Sequence, residues 1–194
     1  MAKEAASLLY FGVEKEFKQA KLKAAKTLGA SFLPSNLEVA LQLDRIAEDN
    51  EGENRRKRLV SMRKKALKLM KILRKFEPIL IGSVWRGTVR QGSDIDISLY
   101  HDVSSEIISL LEKKGYCPKE TVRVAETKKG KRESSLHIYV EIPDKQSVEL
   151  VVRSLEEKSQ NRKCEIFGDE IRGLKIQELE RLLEQNPEQR FVPF

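Results

Sequence analysis

Hydrophobic and polar positions repeat with a helical period over the first third of the chain and with a period of two over much of the rest. From residue 3 to about 28, Leu8, Phe11, Leu22, Ala25 and Leu28 recur among charged residues. This predicts a helix, with Gly29 as its stop. Residues 30–34 are a connector. Ser35-Asn36-Leu37-Glu38 has the form of a capping box and opens a second helix, Leu37 to about Asp49. The polar run 49–54 predicts a break. A third helix, Arg55 to Phe76, places Leu59, Met62, Ala66, Leu69, Leu73 and Phe76 in one apolar stripe. Pro78–Ile81 is a short apolar run, and Asp94–Leu99 alternates as a half-buried strand does. Ser104 to Lys114 reads as an amphipathic helix stopped by Gly115. Strands follow at 121–125, 135–142 and 147–152, with turns at Lys128–Lys131 and Pro143–Gln146. A last helix is expected at about Leu174 to Glu184.

With 194 residues, the chain suits one compact domain with decorations. Charged residues make up 35% and the net charge is +7, which favours polyanionic partners. No apolar run is long enough to span a bilayer, and Lys3, Glu4, Glu14 and Lys15 do not fit a secretory signal. The two cysteines, Cys117 and Cys164, have no metal-ligand spacing, so a reducing cytoplasm is the default, with a disulfide between them left open.

The third helix changes that picture. Its polar face carries Arg55, Arg56, Lys57, Arg58, Arg63, Lys64, Lys65, Lys68, Lys71, Arg74 and Lys75 without an acid among them. Like charges three and four apart repel by a few tenths of a kcal/mol, roughly. Read functionally, this is a phosphate-backbone track about 30 Å long, with Arg56, Lys57, Arg63, Lys64, Lys68, Lys71 and Lys75 as nucleic-acid contacts. Read plainly, it is a solvated basic face.

The candidate chemistry lies between residues 82 and 97. Asp94 and Asp96 fall on the same side of a strand, with Ile95, Ile97 and Leu99 on the other. Two such carboxylates repel, and a divalent cation such as Mg2+ offsets this best, filling its other positions with phosphate oxygens and water. Upstream, Gly82 lacks a Cβ and lets the backbone approach an anion. Ser83 offers a hydroxyl, and a short helix starting there would aim N–H groups at the same place. Arg86 and Arg90 add positive charge.

Gly82-Ser83, ten residues, then Asp94-Ile95-Asp96 resembles the signature of the DNA polymerase β-type nucleotidyltransferases. The resemblance covers roughly Phe76 to Arg153. It implies an α+β fold: a nucleotidyltransferase core with a mixed sheet over 76–155, a basic helical region over 1–75 and a C-terminal helical element over 156–194. It also implies transfer of a nucleoside monophosphate from a nucleoside triphosphate such as ATP to an acceptor hydroxyl, with two Mg2+ or Mn2+ ions. Asp94 and Asp96 would hold the metals. Gly82 and Ser83 would cradle the β- and γ-phosphates, with Arg86 or Arg90 assisting. The family's third acid comes from a later strand, where Glu141 and Glu149 are candidates. Glu149 is preferred because a lone charge inside Val148-Glu149-Leu150-Val151-Val152 is costly unless paired or metal-bound. It would act as ligand or proton acceptor.

His137-Ile138-Tyr139-Val140 is similar to the His-x-Tyr-Val of archaeal-type class I CCA-adding enzymes, which implies that His137 helps hold the triphosphate. Tyr139 shares its face and reads as a core or rim residue. Trp85 has the type to stack on a base, against the plainer reading of packing. The expected acceptor is a tRNA-like RNA end. The alternatives are an antitoxin-like or small-molecule or protein nucleotidyltransferase, and a catalytically silent nucleic-acid-binding module. The expected location is the cytoplasm, and a homo-oligomer is compatible with the sequence.

Overall fold

In the computed structural model, residues 1–126, 132–142 and 146–193 are described, with only the backbone for 120–126 and 132–135. The expected helix over 3–28 is two helices, α1 (Ala2–Tyr10) and α2 (Phe17–Leu28). Gly12 takes φ +69° and the Leu8 carbonyl accepts from the N–H of both Val13 and Glu14, which turns the chain back on itself. Ala5, Ala6 and Leu9 pack against Ala20, Ala24 and Val39, a small cluster of its own. Leu28 ends α2 at Gly29 in the left-handed conformation, as expected.

The capping box of Ser35 and Glu38 opens α3 (Asn36–Ile72) as predicted. The break expected at 49–54 falls at Gly52, whose φ of 46° and ψ of −124° interrupt α3 and divide it into two helical segments. Charges pair across this kink: Arg55 bonds Asp44 and Glu48, and Arg58 bonds Glu51. α3 ends at Ile72, short of Phe76, and a 3-10 turn (Arg74–Phe76) follows. Pro78 disfavours helix at the residue before it, and Glu77 takes φ 49°.

The strands β1 (Ile79–Ile81), β2 (Ile95–Tyr100), β3 (Lys119–Glu126), β4 (Arg132–Ile142) and β5 (Gln146–Arg153) form one sheet in the order β1-β2-β5-β4-β3. β2 and β5 are parallel and the other pairs antiparallel. The fold is α+β with a mixed sheet. α4 (Gly82–Arg86) follows β1, α5 (Ser104–Lys113) follows β2, and α6 (Ile176–Gln185) packs on α3. The predicted stripe of α3 is buried together with Ile95, Ile97 and Leu99 of β2 and Leu179 and Leu182 of α6. The turn expected at 128–131, and residues 143–145 of the next, lie outside the described residues.

Candidate active site

β2 and β5 run side by side with Asp96 opposite Glu149, so both side chains rise from the same face of the sheet. Asp94 precedes β2 on that face. On the far side of β5, Tyr139 is opposite Glu149. The Tyr139 hydroxyl donates to Glu149 Oε1 at 2.7 Å, and His137 Nδ1 lies 2.6 Å from the same oxygen. His137 is buried. It lies in the same cluster as the Glu149 carboxylate.

The electrostatics reflect the crowding. Burial, then the charges of Glu149 and Asp94, push the Asp96 carboxyl up to about 7. Burial and Glu149 also raise Asp94, against a hydrogen bond from Ser147 and the charge of Arg90. Gly82 stands at φ +70°, and a Cβ there would overlap the Asp96 carboxylate. The turn before α4 therefore lies directly on the second aspartate. Hard oxygen donors beside a backbone cradle suit a divalent cation shared with phosphate. Among the described residues, no group of three or more His, Cys, Asp or Glu is arranged to hold a metal by itself.

The loop from Thr88 to Asp94 is fastened from α3. Arg55 Nε donates to the Val89 carbonyl at 2.7 Å and Gln91 N–H to Glu51 Oε1 at 2.8 Å. Two clefts flank this loop, both bordered by Arg90. One, about 220 Å³, runs from Ser83, Thr88 and Ser93 to Phe17, Leu43 and Phe167. The other, about 790 Å³, lies between residues 9–15 and 90–94 and includes Asp94. Burial lowers the Arg90 pKa, partly offset by the charges of Glu51, Tyr10 and Asp94.

The nucleotidyltransferase domain family model matches residues 60–176, more than half of the chain. The chain belongs to the nucleotidyltransferase domain family. The resemblance drawn from Gly82-Ser83 and Asp94-Ile95-Asp96 holds at the level of family. Comparison with curated proteins gives no match. Among solved structures, this nucleotidyltransferase domain is similar to a cytoplasmic RNA terminal U-transferase at 16% identity and TM-score 0.33, over 61% of this chain and 34% of that one. The chain thus spans about a third of that protein's length, and the likeness is too loose to bear on substrate.

Two arginines of the nucleotidyltransferase domain stand elsewhere than expected. Arg86, expected beside the phosphates, is buried, with its guanidinium on Asp169 at 2.7 and 3.1 Å and on the Phe191 carbonyl. Arg63, expected on nucleic acid, is fully buried. It donates to the carbonyls of Val84, Trp85, Pro187 and Gln189, and burial lowers its pKa to about 10. Elsewhere on the basic face, Arg56 pairs with Glu48 and Glu53 of α3 itself, Lys71 with Glu180 and Lys75 with Glu106, all three cations remaining exposed. Lys57, Lys64 and Lys68 are exposed. Trp85 packs on Phe191, with ring centroids 6.4 Å apart, as the plainer reading had it.

Sequence reasoning missed Tyr139 as a partner of Glu149. The signal was present: in an antiparallel neighbour, His137 and Tyr139 share one face, and a buried carboxylate needs donors. It also missed the first two helices as walls of the clefts, for which the sequence carries no signal. No helix among the described residues is long and apolar enough to cross a membrane.

Proposed function

We propose that this chain transfers a nucleoside monophosphate from a nucleoside triphosphate to an acceptor hydroxyl. The acceptor oxygen attacks the α-phosphorus, the bond from that phosphorus to the bridging oxygen breaks, and pyrophosphate leaves with the electron pair. The observation that carries this reading is the Asp96–Glu149 register beside Gly82, which brings acids and an anion cradle to one face.

Gly82 admits the backbone to the β- and γ-phosphates and Ser83 offers its hydroxyl to them. The apolar cleft off Ser83 gives the nucleoside room between Phe17 and Phe167. Arg90, at the border of both clefts, adds positive charge near the phosphates. Asp94 and Asp96 supply the oxygen ligands for Mg2+ or Mn2+; one or two carboxylates suffice when phosphate and water complete the shell. Bound there, divalent cations supply neutralisation of the developing charge on the attacking and leaving oxygens. Glu149, oriented by His137 and Tyr139, is the third acid and takes the acceptor's proton or shares in ligation. The acceptor is an RNA end, in line with the net charge of +7.

The test is incubation with each labelled triphosphate, Mg2+ or Mn2+, and cellular RNA or protein. Label should enter RNA, and Asp96→Asn should abolish it while the chain still folds. Full turnover by Asp96→Asn would end this assignment.

A further inference from the structure

The family match begins at residue 60, yet the wider cleft beside Asp94 has its far wall built from residues before that point. Tyr10, Phe11 and Lys15 face Arg90, Gln91 and Asp94 across a groove of about 790 Å³. Phe11 is 68% exposed, an aromatic ring left in water at the tip of α1. Its ring meets Tyr10 edge to face at 5.1 Å. Lys15 is exposed beside it, and Glu14, the acid on that wall, is engaged by Lys23 at 2.9 Å. An open ring, cations on both walls and an amide at Gln91 match a nucleobase joined to a phosphodiester. The groove ends on an acid of the reacting centre, whereas the apolar cleft across Arg90 ends on Ser83.

We propose that this groove holds the acceptor, the 3′ end of a single-stranded polynucleotide, with a base stacked on Phe11 and a phosphate on Lys15. The assignment rests on the function proposed above for its position beside Asp94. The acceptor's 3′-hydroxyl lies toward Asp94 and the triphosphate enters from the Ser83 side. The N-terminal hairpin, outside the family match, is then what selects the acceptor. The exposed lysines of α3 are not the primary contact.

The probe is a fluorescent single-stranded RNA 12-mer titrated against the full chain, read by anisotropy at several salt concentrations. Phe11→Ala should weaken binding about tenfold, the loss of one base stack. Lys15→Glu should weaken it and flatten the salt dependence. Both side chains are exposed, so both variants keep the fold; circular dichroism checks this. Binding that is absent in the wild type, or unchanged in Phe11→Ala, overturns the proposal. So does a loss confined to Lys64→Glu and Lys68→Glu, which would return the site to α3, or label transferred to protein instead of RNA. If the 12-mer binds through Phe11 and Lys15 but takes up no label from any triphosphate, the groove stands and the proposed reaction falls.

Discussion

Asp96 sits where burial and two neighbouring carboxylates make its negative charge costly. Its carboxyl rises from 3.8 to about 7 in the folded chain. The folded state then binds a proton that the unfolded state has released, so this group's contribution to stability declines as pH rises from about 4 through 7. In protein freed of divalent ions by chelation, Asp96→Asn should match the wild type in melting temperature near pH 4. It should exceed the wild type increasingly up to pH 7, gaining about 1.4 kcal/mol for each pH unit crossed, and hold that lead above it. Thermal denaturation across pH 4–8 reads this directly, and equal curves at pH 8 would mean that the charge is not strained. Tyr139 is a second point of leverage. Tyr139→Phe removes one donor from Glu149 and leaves the ring in place. A bond to a charged acceptor is worth about 1.5–3 kcal/mol, so kcat should fall about tenfold or more while binding of the triphosphate holds. Single-turnover kinetics separates the two.

Elements set how far these residues could be foreseen. The strand bearing Asp96, with Asp94 just before it, was legible because period-two patterning assigns sides, and the Ser35–Glu38 cap because the local chemistry is complete in four residues. Glu149 was reached through its cost in an apolar strand, and the parallel β2–β5 pairing puts it opposite Asp96. What the sequence does not show is which side chains pair with which. The polar run around Gly52 did mark the break, and what it did not show is that Asp44, Glu48 and Glu51 bridge it to Arg55 and Arg58. The basic face of α3 reads as open until Glu106 and Glu180 arrive from other elements. Arg63 is the sharpest case, a guanidinium indistinguishable in sequence from its neighbours yet fully buried. It fastens two carbonyls of α4 and two of the tail. Arg63→Ala should leave several of these without donors and lower stability by about 3 kcal/mol or more, read as a drop in the urea midpoint.

At the scale of the whole molecule, positive charge is plentiful but much of it is committed internally. The net charge of +7 would suggest a long electrostatic footprint on RNA. With the acceptor in the groove, Lys15 makes the phosphate contact, and one contact to a single strand gives a log–log salt slope of about −0.7. A slope several times steeper, from binding titrations between low and physiological salt, would restore α3 as a track. The bonds of Arg63 and Arg86 to the segment after α6, and of Arg190 within it to Asp44, have a consequence of a different kind. Pro187, Gln189 and Phe191 accept from Arg63 and Arg86, and Arg190 reaches Asp44 at 2.6 Å, so the motif helix is secured by residues synthesised long after it. During synthesis the acids and the cradle are already made while their clamp is still to come. A nascent chain stalled before residue 187 should therefore hold the motif helix less firmly than the full chain, read as faster proteolysis of the stalled chain.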